Sequence, residues 1–133
     1  MRKVHLIVGT LTMTLLLSSC NTKETNQLNN IETGNPTVEE ILVENENADI
    51  FLLNGIVYSN AEQIDWVVNQ ELTVGQEVLE ITKQTSDSHD FSNGSATKLP
   101  VGTKIYEKID GNGDIVIAIV EGKEIRYLGL REG

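Results

Sequence analysis

Residues 103–130 alternate between short apolar runs and glycine-containing turns. The run TKIYEKI is followed by the turn DGNG, the run DIVIAIV by Glu121-Gly122, and the run KEIRYLGL ends the pattern. Three such runs joined by tight turns predict an antiparallel meander. Because Ile115 to Val120 are apolar at every position, we expect this middle run to be a central strand, with neighbours on both sides and cover above and below.

Further strand patterns lie upstream of the meander. The runs DIFLL and IVYS flank Asn54-Gly55, which is a strong signal for a tight turn or a bulge. The run GQEVLEITKQ predicts another strand, with Leu79 and Ile81 on one side and Val78 on the other. Residues 85–102 are mostly polar and carry glycine and proline, so they predict a long loop.

A change of period between these strands predicts a helix at residues 60–70. Ser59 is a favourable N-cap, and Glu62 follows three residues later, which is the spacing of a capping box. Ala61, Ile64 and Val68 recur at helical spacing and share one face. The domain is therefore expected to add one short helix to its strands.

Together these patterns predict a mainly β fold (α+β) for residues 48–133. We expect five or six short strands in a curled antiparallel sheet or a partly open barrel, with one short helix. Residues 20–47 predict a flexible polar tether, because their apolar residues are too few and too scattered to nucleate a core. Within this tether, the segment TVEEILVENE is compatible with a short helix.

The chain begins with the pattern of an export signal, at residues 1–19. Two basic residues are followed by an apolar run without formal charge, and then by small residues directly before Cys20. This apolar run is too short to span about 30 Å of hydrocarbon comfortably as a helix. A permanent transmembrane helix is therefore the weaker interpretation.

The four residues Leu17-Ser18-Ser19-Cys20 resemble the lipobox of bacterial lipoproteins. The resemblance implies that Cys20 carries fatty acyl chains such as palmitate through its sulfur, and that signal peptidase II removes residues 1–19. It also implies a lipid anchor on the outer face of the cell membrane, where at least two acyl chains give stable attachment. The alternative is an ordinary signal peptide in which the cysteine is incidental. Because Cys20 is the only cysteine, we expect no disulfide within the chain.

The net charge argues against one class of partner. The full chain has a formal charge of −10, and removal of the two basic residues of the signal would leave 8 basic against 20 acidic residues, or −12. Such a chain is repelled by nucleic acid and by anionic lipid. We therefore expect no nucleic-acid partner, and membrane contact only through the acylated Cys20.

The turn at Asp110–Asp114 is the most suggestive candidate for metal chemistry. Its oxygens fall at positions 1, 3 and 5 of a calcium loop, and Glu121 falls at position 12. Position 6, which requires glycine in that loop, is Ile115, and a strand would carry Glu121 some ~23 Å away. A plain hairpin turn is the preferred interpretation, and calcium binding is the alternative.

A histidine and a few carboxylates are the remaining candidates for catalysis. His89 lies between two aspartates in the polar loop. Removal of residues 1–19 would leave it as the only histidine, and the sulfur of Cys20 is expected to carry lipid, so no second histidine or free thiol would complete a zinc site. The carboxylates that a glycosidase would need in a pair are Glu62, Asp65, Glu77 and Glu80. A domain of this size with one tryptophan makes a poor sugar cleft. We therefore predict no enzymatic activity, no cofactor and no metal.

Trp66 is the strongest candidate for a contact residue. On the wheel of the predicted helix it lies roughly 140° from Ala61, away from the apolar face. Partly exposed aromatic side chains are favoured at interfaces. We therefore predict an interaction surface at Trp66, Asp65 and Tyr58. The alternative is that a loop or the tether packs over Trp66.

Two segments carry a resemblance to known proteins. NGIVYSNAEQIDWV, residues 54–67, and ATKLPVGTKIYE, residues 96–107, resemble small uncharacterised lipoproteins of Bacillus-type Gram-positive bacteria. The resemblance covers most of residues 48–130 and implies a cell-surface location, but no activity. We predict a non-enzymatic binding module for an envelope protein or a wall component. The alternative is a small inhibitor or protective protein that inserts residues 85–102 into the cleft of an exported enzyme.

Overall fold

The structure is a computed structural model, and it describes residues 34–132. The chain in this range forms short helices and strands. In chain order they are α1 (Val38–Glu44), β1 (Ile50–Leu53), β2 (Ile56–Asn60), α2 (Asp65–Val68), β3 (Val74–Glu80), β4 (Lys83–Gln84), a 3₁₀ turn (Ser88–Asp90), β5 (Ser95–Ala96), β6 (Lys104–Lys108), β7 (Ile115–Val120) and β8 (Lys123–Gly129).

The strands form one curled sheet in the order β3-β6-β7-β8-β2-β1-β5-β4. All pairs are antiparallel except β4 with β5, which run parallel over two residues. The predicted mainly β fold with a curled sheet is confirmed. The described residues form eight strands rather than five or six, since the predicted strand GQEVLEITKQ divides into β3 and β4, and since the two-residue strand β5 lies within the predicted loop.

Two hairpin turns form where the sequence predicts them. Asn54 and Gly55 have φ angles of 51° and 79°, and Glu121 and Gly122 have φ angles of 50° and 77°. Positive φ at both central residues is the signature of the type I′ turn, whose twist matches that of the flanking strands. The first turn joins β1 to β2 and the second joins β7 to β8.

Strand β7 is central and covered on both faces, as predicted. It pairs with β6 on one side and β8 on the other. Val116 and Ala118 face the concave core of the curled sheet, together with Phe51 and Tyr127. Ile115 faces the opposite side and packs in a second cluster beneath α2. The uninterrupted apolar run of β7 thus reflects burial on both sides.

The two edge strands of the sheet, β3 and β4, are joined by only two residues, Ile81 and Thr82. Ile81 is fully buried in the concave core. Its N–H donates to the carbonyl of Thr103 at 2.8 Å, and its carbonyl accepts from the N–H of Gly102 at 2.7 Å. The sheet therefore curls far enough for its two edges to meet at this end, which gives a half-barrel.

The helix predicted at residues 60–70 is wrong in its extent, since α2 covers only Asp65–Val68. Ser59 is not an N-cap but pairs with Leu128 as part of β2. The carboxylate of Glu62 accepts from the N–H of Arg126 at 2.7 Å instead of closing a capping box. Hydrogen bonds to β8 therefore keep Ser59 and Glu62 out of the helix, although the local sequence pattern favours a helix there.

The second half of the predicted tether is packed on the sheet. Helix α1 begins at a capping box, in which Thr37 and Glu40 exchange side-chain and backbone hydrogen bonds. Val38 is buried in a third cluster, together with Ile50 and Val57 of the first hairpin. The prediction of a flexible tether is therefore wrong for the helical part of residues 20–47, because apolar residues at helical spacing find a partner surface on β1 and β2.

Residues 20–33 of the predicted tether, which include Cys20, and the export signal at residues 1–19 lie outside the described residues. The predictions of a signal peptide at residues 1–19, a lipidated Cys20 and the domain boundaries that depend on them stay predictions. Within residues 34–132, no helix is both long and apolar enough to cross a bilayer.

The predicted loop at residues 85–102 is anchored to the sheet at its centre. Ala96 of β5 pairs with Phe51 of β1, and Ser95 is fully buried. The hydroxyl of Thr97 accepts from the N–H of Ile50 at 2.9 Å and lies 2.7 Å from the carbonyl of Ala48. A loop held in this way at its middle presents only its two flanks to solvent.

Candidate functional site

Trp66 lies on α2 with half of its side chain exposed to solvent (50%). The helix is fixed from below, because Val67 is fully buried and its carbonyl accepts a hydrogen bond from the guanidinium of Arg126. The ring rests on Gly113, where an added Cβ would lie 2.8 Å from Cη2 of the indole. A large aromatic ring is thus held against backbone on one side and presented to water on the other.

The turn beneath Trp66, residues 110–114, is tied down by side chains. The amide of Gln70 accepts from the N–H of Asn112 at 2.7 Å and donates to the carbonyl of the same residue at 3.2 Å. The ammonium of Lys108 donates to the carbonyl of Gly111 at 3.0 Å. These contacts give the Trp66 ring a fixed platform.

Tyr58 is a core residue rather than a surface residue, with 4% of its area exposed. Its ring stacks on Phe51 with centroids 5.4 Å apart, and its hydroxyl donates to the carboxylate of Asp114 at 2.9 Å. The guanidinium of Arg131 donates to the other oxygen of that carboxylate. Burial, and secondarily the Asp114 carboxylate, raises the pKa of Tyr58 to about 12.

The structure brings Trp66 and Tyr58 to one turn, but from different directions. Trp66 contacts Gly113 from outside, and the hydroxyl of Tyr58 binds the adjacent Asp114 from the concave side. Asp65 is exposed next to Trp66 on α2. The predicted surface of Trp66, Asp65 and Tyr58 thus has two exposed members, while Tyr58 stands behind them as a support for the turn.

A cavity of about 310 Å³ opens beside this turn, at the end of the half-barrel away from Ile81. The residues around it are Leu53, Asn54, Tyr58, Val78, Glu107, Lys108, Gly113, Asp114, Ile115 and Val116. Sequence reasoning missed this cavity, because its walls come from five strands, β1, β2, β3, β6 and β7, which lie in three separate parts of the sequence. Since Gly113 both lines the cavity and contacts Trp66, the cavity and the exposed ring share one wall.

A second tyrosine is held by a carboxylate deeper in the sheet. The hydroxyl of Tyr127, which is fully buried, donates to Asp49 at 2.8 Å, and the amide of Asn60 donates to the other oxygen of Asp49 at 2.9 Å. Burial, and secondarily the Asp49 carboxylate, raises the pKa of Tyr127 above its ordinary value. These hydrogen bonds pair the buried hydroxyl of Tyr127 and connect β8 and β2 through Asp49.

The arrangement at residues 110–114 does not fit a calcium loop. The carboxylate of Asp114 is already bound by Tyr58 and Arg131. Glu121, the twelfth residue of the supposed loop, lies in the hairpin turn at the opposite end of β7. Among residues 34–132, no group of three or more His, Cys, Asp or Glu side chains is arranged to hold a metal ion.

The other sequence candidates for chemistry are separated on the surface. His89 is exposed in the 3₁₀ turn, and its backbone N–H donates to the carboxylate of Asp87 at 3.0 Å. Glu62 binds the backbone of β8, whereas Glu77 on β3 lies 4.0 Å from the ammonium of Lys104. These carboxylates belong to different elements of the fold and carry separate local contacts.

Comparison with known proteins finds no family model, no curated protein and no solved structure that matches this chain. The resemblance of residues 54–67 and 96–107 to small lipoproteins of Gram-positive bacteria therefore stays a prediction. The half-exposed ring of Trp66 and the adjoining cavity are the most distinctive features of the described surface.

Proposed function

We propose that this protein is a lipid-anchored binding module of the bacterial cell envelope, without enzymatic activity. In this proposal an acylated Cys20 holds the protein on the outer face of the cytoplasmic membrane. The folded domain then binds an envelope protein or a wall component through the surface around Trp66 and Asp65. The lipobox resemblance supports the anchor, and the described surface supports the binding role.

The exposed ring of Trp66 is the observation that carries the binding role. Burying a half-exposed indole in a partner removes a large apolar area from water, and tryptophan is enriched among the residues that dominate binding energy. The platform of Gly113, Gln70 and Asn112 reduces the conformational entropy that binding would cost. A ring that served only the core would be placed with its faces covered.

The packing of α1 limits how far the proposed anchor lets the domain move. The described chain begins at Gly34, next to Glu132, since the side-chain oxygen of Asn35 accepts from the N–H of Glu132 at 3.0 Å. Residues 20–33 are then the only link between the lipid and the domain, and 14 residues span at most ~50 Å even when fully extended. The binding surface would therefore work close to the bilayer.

The alternative of an enzyme inhibitor has less support. That hypothesis needs residues 85–102 to enter a cleft as an extended loop, whereas Ser95 and Ala96 are buried in the sheet. Insertion of the whole segment would break the pairing of β5 with β1 and β4. The Trp66 surface requires no such rearrangement.

Replacement of Trp66 tests the binding role. A partner is first captured by crosslinking on intact cells, and its affinity for purified variants is then measured. Trp66→Ala should weaken binding more than tenfold, since an interface tryptophan contributes on the order of 2 kcal/mol. Its thermal midpoint should fall only slightly, because half of the ring is already in water.

Trp66→Phe is the matched control and should retain part of the affinity. Unchanged binding by Trp66→Ala, or a collapse of its midpoint, would refute the proposal.

Replacement of Cys20 tests the anchor independently. Cys20→Ser removes the sulfur that would carry the acyl chains, so the protein should leave the membrane fraction and lose the mass of the lipid. Intact mass measurement of the wild-type protein provides the control. A Cys20→Ser protein that is processed to the same length and still sediments with membranes would disprove lipid anchoring at this residue.

A further inference from the structure

Strand β3 presents an open backbone edge beside the cavity. It ends the sheet and pairs only with β6, and no other strand of residues 34–132 pairs with its second edge. Four of its seven residues are exposed, and these are Gln76, Glu77, Val78 and Glu80. An edge of this kind offers backbone N–H and C=O groups to any extended segment that can align with it.

A bulge in β3 turns one apolar side chain toward the cavity. Glu77 opposes Tyr106 and Leu79 opposes Ile105, so Val78 is an extra residue on this strand. Leu79 packs against the concave core, whereas Val78 lines the cavity and is 40% exposed. A segment that pairs with β3 would therefore direct every second side chain toward the apolar lining of the cavity. The cavity has room for one of these side chains.

The charges around this edge favour a cationic segment. Strand β3 contains Glu77 and Glu80 and no basic residue, although the ammonium of Lys104 on β6 lies 4.0 Å from Glu77. Glu107 lines the cavity and lies across Gly75 of β3, and its side chain makes no ion pair or hydrogen bond with residues 34–132. Lys108 lines the same cavity, but its ammonium is directed to the carbonyl of Gly111.

The same charges disfavour a second copy of this chain as the occupant. Pairing β3 with β3 of another molecule would bring Glu77 and Glu80 of both chains onto one short ladder. Like charges facing each other across strands destabilise the pair. The net charge of −10 adds a general repulsion between two copies.

We propose that the open edge of β3 binds an extended, cationic segment of a partner protein as an additional strand of the sheet. A lysine or arginine of that segment enters the cavity, with its apolar stem against Val78 and Leu53 and its charged end beside Glu107. This inference rests on the proposed binding role and adds a second contact region to the Trp66 surface.

The proposal is tested with a short synthetic peptide and the full chain in a non-ionic detergent. The probe alternates valine and lysine, and a peptide of valine and glutamate is its matched control. Binding is followed by amide hydrogen exchange and by chemical-shift titration. The valine–lysine peptide should slow exchange at the outer amides of β3 at least fivefold and saturably, whereas the valine–glutamate peptide should have no effect.

Two substitutions locate the site. Val78→Lys puts a positive charge at the open edge and should weaken binding of the valine–lysine peptide more than tenfold. Val101→Lys, at a valine that is 62% exposed elsewhere, should leave it unchanged. Glu107→Gln should weaken binding several-fold and reduce its salt dependence.

Three outcomes would overturn the inference. The first is that the valine–lysine peptide gives no protection at β3, and the second is that both peptides protect it equally. The third is protection that grows with protein concentration in the absence of peptide, which would make a second copy the occupant. Trp66→Ala distinguishes this site from the proposed function. If the β3 edge fails to bind peptide while Trp66→Ala still weakens partner binding, only the β3 proposal fails. If the β3 edge binds peptide while Trp66→Ala leaves partner binding unchanged, only the Trp66 proposal fails.

Discussion

The hydrogen bond from Tyr58 to Asp114 should make the stability of the domain fall at alkaline pH. Burial and the adjacent carboxylate raise the pKa of Tyr58 from 10.0 to about 12 in the folded state. The neutral phenol is therefore favoured by folding, and its contribution is complete below pH 10 and is lost as the pH rises toward 12. At pH 11 the loss attributable to Tyr58 is about 1.4 kcal/mol, since one pKa unit corresponds to about 1.4 kcal/mol.

Urea unfolding of the wild type and of Tyr58→Phe at pH 8 and pH 11 measures this loss, with the fluorescence of the single tryptophan as the signal. At pH 8 the variant should be about 1–2 kcal/mol less stable, because Asp114 loses a donor but keeps Arg131. Between pH 8 and pH 11 the variant should lose about 1.4 kcal/mol less than the wild type, since all other titrating groups are common to both.

A matched control for this experiment is Tyr106→Phe, which removes a hydroxyl that makes no hydrogen bond with residues 34–132. This variant should show the full alkaline loss of the wild type. If Tyr58→Phe lost as much stability between pH 8 and pH 11 as the wild type, the phenol of Tyr58 would titrate alike in the folded and the unfolded protein. Burial and the Asp114 carboxylate would then not raise its pKa.

Two further predictions concern the ends of the described domain and the turn beneath Trp66. Thr37→Ala removes one half of the capping box with Glu40 and should lower the free energy of unfolding in urea by about 1 kcal/mol. An unchanged urea midpoint would show that α1 does not unfold together with the rest of the domain. The thermal midpoint should be the same in calcium and in chelator, since the carboxylate of Asp114 is already bound by side chains, and a rise with calcium would show that residues 110–114 hold the ion.

The parts of the fold that sequence predicts well are set by local rules. The turn at Asn54-Gly55 and the turn at Glu121-Gly122 form as expected, because few residue pairs accept two positive φ angles. The central position of β7 follows from its unbroken apolar run, since only burial on both faces explains such a pattern.

The parts that sequence predicts poorly are decided by distant partners. Ser59 and Glu62 form a plausible capping box, yet both are engaged by β8, more than 60 residues away for Glu62. Conversely, the true capping box at Thr37 opens a helix whose apolar face is buried only because β1 and β2 cover it. Helix propensity is a weak prior that tertiary contacts override in both directions.

The candidate site likewise has one part that the local sequence predicts and another that distant contacts decide. The exposure of Trp66 follows in the sequence from the wheel of an eleven-residue helix, whereas only the four residues of α2 are helical, and the ring is half-exposed. The burial of Tyr58 on β2 and the cavity beside it depend on how β2 packs with β1, β3, β6 and β7, and no single segment of the sequence contains this information.

The hydrogen bond between Asn35 and Glu132 holds the two ends of the described residues next to each other. A short linker across this point, with new termini cut at Glu121-Gly122, would give a circularly permuted protein that keeps every strand neighbour. The pairing of the strands therefore does not depend on their order along the chain, and segments attached at either end of residues 34–132 would leave the domain from the same place.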